Sequence, residues 1–384
     1  MISKKFTFYL ITLFLVFVIL EVIGYLSVFL TDDLYDDRET VLARVEEGRL
    51  ADLRREGIDP IVGWKYRGPE VDTDCNCQGT RIEYAFDQFG ARLYSGYDSR
   101  TAEIVLSGDS YTHGYEVAAD DSFAAVTAGI LGVSVANHGV GGYGPVQAFL
   151  SLQQNLPHYP RAKFVVLGIM YENIFRMVNS YRPVLTNKSS VYGLKPYIAK
   201  GHIKPHPGRQ VLKDIDTYKA FADRAFDTDF WGKPKHAFPF SVSYIRGLGS
   251  NYCYFKKLAR RLRRIGVPEF FLAYRSDTFS IELLSLLNSF REFAKTNSVK
   301  PVVLFIPRDR FDTKSVSRFI ERNKRRFQHD LIIGDVGTAD VDWEKYNLLD
   351  MRDKDNIRFC HPSPYGHRMI AEYLAKLLVQ SKME

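Results

Sequence analysis

Cysteine is scarce in this chain. Its 384 residues carry four, at positions 75, 77, 253 and 360. Cys75-Asn76-Cys77 is too tightly spaced for a zinc knuckle, and no second pair accompanies it. Asp109 has no evident partner ligands, and no metal is expected. There is no Walker motif. The one glycine-dense turn, Gly139-Val140-Gly141-Gly142-Tyr143-Gly144, resembles a dinucleotide loop only loosely, because it follows a second strand and not the first. No cofactor is therefore expected. Repeats and low-complexity tracts are missing too. The basic excess is modest, a net charge of +7. Its runs, at 256–264 and 322–326, carry no nucleic-acid motif, which sets nucleic acid aside as a partner. An anionic glycan or a membrane surface suits such charge equally well.

What is present suggests a folded, exported protein. The chain is 46% hydrophobic and 25% charged, the balance of a globular domain. Its length allows one large α/β domain with an insertion, or two modest domains. Lys4 and Lys5 precede an almost wholly apolar run over 6–30, and Asp32, Asp33, Asp36 and Asp37 come after it. Such a run is long enough to cross a bilayer. Positive residues before it and acidic ones after it favour a cytoplasmic tail at 1–5, with the remainder extracytoplasmic, either periplasmic or extracellular. A cleaved signal peptide competes with this single-pass anchor, but no Ala-x-Ala site closes the run. A buried soluble helix is a third reading. Glu21 lies inside the run and needs a partner there, or must sit neutral. Another membrane protein is one candidate. In an oxidising compartment a disulfide from the 75/77 region to a distant cysteine is allowed. Cys360, next to His361, is expected to be packed or disulfide-bonded.

The pattern after the anchor divides the chain. Residues 31–58 read as a helical stalk that Asp59-Pro60 ends. Residues 61–102 hold short aromatic strands and turns that pack on the main domain. From 104 a βαβ rhythm begins: strands at 104–107, 133–137 and 163–169, with helices near 121–131 and 146–155. It pauses over 175–264, an insertion or cap with helical stretches near 213–228 and 243–264. It resumes with strands near 268–273, 301–306 and 331–333, helices near 280–296 and 313–327, and a last helix at 364–379. Short apolar strands separated by helices predict a mostly parallel sheet covered on both faces, an α/β three-layer sandwich. Ligands of such sheets bind beyond the carboxyl ends of the strands. Ser110, the 139–144 turn, Tyr171 to Asn173 and Arg308 to Arg310 all come just after predicted strands and can share one crevice.

Within that crevice the residues suit acyl transfer. A serine hydroxyl needs a base within reach, and His361, in a loop ahead of the last helix, is the best candidate. His367, in the first turns of that helix, looks structural. His113 can line the pocket. A developing oxyanion needs donors: the Ser110 N–H, backbone amides of the glycine turn and the Asn173 side chain qualify. Gly108-x-Ser110 lacks the last glycine of the α/β-hydrolase nucleophile elbow.

These segments together resemble the SGNH/GDSL hydrolases, a superfamily of serine esterases and related acyltransferases. Gly108-Asp109-Ser110 resembles the first block, with Ser110 as nucleophile and Asp109 bonding the backbone around the turn. Asn137-His138-Gly139-Val140-Gly141-Gly142 resembles the second, and implies that Gly139 donates an N–H to the oxyanion. Gly168-Ile169-Met170-Tyr171-Glu172-Asn173 resembles the third, and implies the same for Asn173. His361-Pro362-Ser363-Pro364-Tyr365-Gly366-His367 resembles the last, with His361 as base. The resemblance covers about 104–174 and 265–380, within a hydrolase-like domain at 59–380, and implies a flavodoxin-like sandwich. The chain departs from the family in one place. The aspartate expected two or three residues before the histidine is replaced by Phe359 and Arg358. Asp355, a backbone carbonyl or an acid elsewhere is left to orient His361. The resemblance implies an esterase of an O-acylated extracytoplasmic glycan or other ester. The alternatives are an O-acyltransferase to polysaccharide and a non-catalytic module that binds glycan or a membrane partner.

Overall fold

The architecture was read from a computed structural model. It describes residues 4–32, 42, 58–185, 193–231, 238–242, 245, 274, 276–310, 313–327, 330–350 and 358–382. The expected strand at 268–273, the helix at 243–264 and most of the stalk at 31–58 lie outside these residues.

Thirteen strands are described. Short pairs come first: β1 (Ile58–Asp59) with β2 (Gly63–Trp64), then β3 (Glu70–Cys75) with β4 (Arg81–Phe86). Next come β5 (Ala102–Ser107), β6 (Ser134–Asn137) and β7 (Phe164–Met170). β8 (Tyr197–Ala199) pairs with β9 (His202–Lys204). β10 (Lys300–Ile306), β11 (Ile332–Asp335) and an antiparallel pair, β12 (Asn347–Asp350) with β13 (Arg358–Pro362), complete the set.

The central sheet has five parallel strands in the order β11-β10-β7-β5-β6. Its strands are buried on both faces, which explains why they read as unbroken apolar runs. Val105, Val165, Leu167, Ile169, Val303 and Phe305 pack under helices Pro145–Asn155, Asp277–Thr296 and Thr313–Phe327. The alternate residues Ile104, Leu106, Val166, Met170, Val302 and Leu304 pack under Phe123–Leu131 and Pro364–Lys382. The result is the expected α/β three-layer sandwich. From β5 the chain steps outward to β6, then crosses back over β5 to β7. Strand order therefore reverses beside β5, and the crevice at such a switch point is where ligands bind. Ser110 lies just after β5 and Asn173 just after β7, so the topology brings both to that crevice.

At the other end of the chain, the helix Lys4–Asp32 is long and apolar enough to span a membrane: its stretch Lys5–Ser27 has a mean hydropathy of 2.6 and is only 6% buried. One expectation needs correcting here. His361 does not sit in a free loop but near the end of β13, a strand outside the main sheet.

Candidate active site

The turn after β5 is shaped by backbone approach. A Cβ on Gly108 would lie 2.7 Å from Thr112 Cβ and 2.9 Å from the Gly168 carbonyl oxygen, so only glycine lets β5 turn this close to β7. Asp109 caps the one-turn helix Ser110–His113, its Oδ1 accepting from the Tyr111 N–H at 3.0 Å. Its Oδ2 lies 3.5 Å from Arg176 Nη1. These bonds give Asp109 the turn-building role expected of it, and they leave Ser110 half-buried at the helix start.

Ser110 Oγ stands 2.9 Å from His361 Nε2. On the far side of the ring, His361 Nδ1 is 2.9 Å from Glu116 Oε2. The same carboxylate oxygen accepts from the His361 N–H at 3.0 Å, and Oε1 accepts from the Cys77 N–H at 3.1 Å. Serine, histidine and carboxylate therefore stand in hydrogen-bonded line. Burial alone would raise the Glu116 pKa. The hydrogen bonds and charge of His361, with the Cys77 N–H, outweigh it and hold the carboxyl below its ordinary 4.5. A charged acceptor behind Nδ1 keeps the proton there and leaves Nε2 free to accept.

Glu116 is the residue that sequence reasoning missed. Asp355, the acid expected to orient His361, lies outside the described residues, and the position behind the ring is already filled. Glu116 comes only six residues after Ser110, in a segment whose backbone is turned sharply (Glu116 φ 73°). Arg92 holds that turn. It is 1% exposed, and its guanidinium donates to the carbonyls of His113 at 2.8 Å, Gly114 at 2.6 Å and Val117 at 2.7 Å. Burial draws the Arg92 pKa down to about 10, which still leaves it charged at neutral pH. From outside, the Tyr84 hydroxyl accepts from the Glu116 N–H at 3.0 Å. A disulfide joins Cys77 to Cys360 and so ties the β3–β4 hairpin to the residue next to His361. An allowed link from the 75/77 region to a distant cysteine is thus the one formed, and it was the available signal. A cysteine beside the base, bridged to a segment near residue 77, marks where the supporting acid is held.

The oxyanion candidates divide. Asn173 begins the helix Asn173–Met177, is 1% exposed, and makes no side-chain hydrogen bond among the described residues. Its amide is therefore available to a ligand. Gly139 is not, because its N–H already donates to Asn137 Oδ1 at 3.0 Å. Asn137 in turn donates to the Thr112 carbonyl at 2.8 Å, clamping the glycine turn to the helix that starts at Ser110. The amides of that turn without a partner among the described residues are those of Gly141 and Gly142.

Two other histidines near the site, His367 and His113, are structural. His367 is fully buried with Nδ1 accepting from the Phe123 N–H at 3.3 Å, and burial pushes it down to about 3. His113 does not line the crevice: it is 1% exposed and packs among Tyr66, Tyr84 and Phe86.

No protein-family model matches the chain, and no curated protein does. Among solved structures it is similar to a protein from Desulfitobacterium hafniense DCB-2 assigned to the G-D-S-L family of lipolytic proteins. The two share 12% identity over 72% of this chain and 99% of that one, with a TM-score of 0.31. A likeness this distant says nothing of the chemistry.

Proposed function

We propose that the chain is a serine esterase working through a Ser110–His361–Glu116 triad. The observation that carries this reading is the continuous relay, 2.9 Å from Ser110 Oγ to His361 Nε2 and 2.9 Å from Nδ1 to Glu116. As Oγ attacks an ester carbonyl, Nε2 takes its proton, and Glu116 stabilises the imidazolium without itself being protonated. The Ser110 N–H, the Asn173 side chain and an unpaired amide of the 141–142 turn serve the oxyanion. The imidazolium then protonates the departing alcohol as the carbonyl re-forms. The acyl group is left on Ser110 until His361 deprotonates water to release it as an acid. A sugar hydroxyl in place of that water would make the same site an O-acyltransferase.

The proposed substrate is an O-acyl group on an extracytoplasmic glycan, met by a domain anchored through the N-terminal helix. The disulfide supports an oxidising location on that side of the membrane. A non-catalytic binding module would fit a histidine without an acid behind it, and Glu116 supplies that acid. A fluorophosphonate probe and a small acetyl ester test the assignment. The wild type should be labelled and turn over the ester, while Ser110→Ala should do neither. Normal labelling of Ser110→Ala would sink it.

A further inference from the structure

Glu21 finds its partner inside this chain. Its Oε2 accepts from the Phe240 N–H at 2.6 Å, its Oε1 from the Ser241 N–H at 3.2 Å, and the Ser241 hydroxyl donates to it as well. Gly24, one turn on, lies against the same place: a Cβ there would be 2.6 Å from Ser241 Cα. Phe17 meets Phe238 edge-on with ring centroids 6.1 Å apart, and Tyr25 meets Phe240 at 5.3 Å. Positions 17, 21, 24 and 25 form one stripe of a helix. A small residue and a polar one at the contact are the devices by which helices pack inside lipid, where hydrophobicity alone gives no attraction.

The contact lies at membrane depth. Glu21 is six residues before the end of the apolar stretch at Ser27, so it sits ~9 Å below the outer boundary at 1.5 Å per residue. The segment resting on it turns apolar side chains outward: Phe238 is 66% exposed, Val242 43% and Ile245 68%. Beyond the N-terminal helix only five other large hydrophobics among the described residues are as exposed, and they are scattered singly over 61–379. Clustering of three beside the anchor is what lipid contact would require.

We infer that residues 238–242 with Ile245 belong to a second membrane-embedded element, docked on the anchor at Glu21 and Gly24, with Phe238, Val242 and Ile245 facing the acyl chains of the outer leaflet. The inference rests on the helix Lys4–Asp32 being a bilayer anchor. Its consequence reaches the site. Residues 232–237 join Phe238 to Trp231, and Trp231 Nε1 donates to the Phe175 carbonyl at 3.0 Å, within the helix that begins with Asn173. Seven residue steps span at most ~25 Å, so the Asn173 end of the crevice is leashed close to the membrane surface.

The test uses the full chain in phosphatidylcholine liposomes whose acyl chains are brominated at mid-chain, in a Cys75→Ser, Cys253→Ser background. An environment-sensitive fluorophore is placed in turn on Phe238→Cys, Ile245→Cys, Leu15→Cys and Ile130→Cys. Bromine should quench the labels at 238 and 245 as well as the anchor label at 15, and leave the label at 130 bright. Adding Gly24→Ile should abolish quenching at 238 and 245 while 15 stays quenched. Labels at 238 and 245 as bright as 130, with 15 quenched, would overturn this inference and leave the anchor standing. A bright label at 15 would overturn the anchor reading and this inference with it. Fluorophosphonate labelling of each variant verifies that the domain is folded.

Discussion

The two halves of the proposed catalytic line are held in different ways. Ser110 and Asn173 hang directly from the central sheet: each comes after a strand whose neighbours bond it along its whole length, over a continuous apolar core. His361 sits on β13, which among the described strands pairs only with β12 and not with the main sheet. Its position depends on side chains from far along the chain. Glu116 is 245 residues away and the Cys77–Cys360 link closes 283. A nucleophile carried by backbone hydrogen bonds inherits the rigidity of the fold. A base carried by a carboxylate, a disulfide and one arginine can be unseated while the fold survives.

Several substitutions probe that contrast. The largest effect is expected from His361→Ala, about 10⁶-fold in kcat by analogy with other triads, with little change in thermal unfolding. Glu116→Gln should lower kcat by up to about 10⁴-fold, again with a nearly unchanged unfolding midpoint. If it instead unfolded the protein and left the remaining folded fraction fully active, the carboxylate would be part of the core and the contrast would fail. Replacing both Cys77 and Cys360 with Ser should cost about 10²-fold through a loosened base and about 2–4 kcal/mol of stability, read by ester turnover and denaturant titration. Gly108→Val is the counterpart on the sheet side. The collision with Thr112 and Gly168 should lower stability by about 1–3 kcal/mol and take activity down with it, rather than separating the two. The smallest effect is in pH. Glu116 is held below 4.5 in the folded chain, so its contribution is complete above that value and lost as pH falls through the lower folded one. The small difference in melting temperature that remains between wild type and Glu116→Gln should stay flat above about pH 5 and shrink below it. A difference that grew on acidification would reverse the assignment of the charge.

The same contrast governs what could be read from the residues alone. The strands at 102–107, 164–170 and 300–306 announce themselves because burial on both faces leaves apolar runs within them, at 104–106, 164–170 and 301–306. Ser110 and Asn173 are then legible as well, since a strand end in a parallel sheet is a place with a known use. His361 was legible as a residue but not as a strand residue: β12 and β13 are four and five residues long, and a proline ends the second. Glu116 was not legible. Proximity along the chain points to an acid near the histidine, such as Asp355, whereas the carboxylate arrives through space on a loop that Arg92 pins from behind. The choice of Gly139 failed for a related reason. Which amide of a glycine turn is free depends on where the Asn137 side chain reaches, and spacing carries no trace of that.

The disulfide also sets an order of events. Ser110, its turn and Cys77 are all made early in the chain, and Cys360 and His361 late. A chain still emerging therefore holds a nucleophile without a base. One that is complete but still reduced holds a base without its tether. For the proposed triad, chain length and oxidation are therefore two separate conditions for a tethered base.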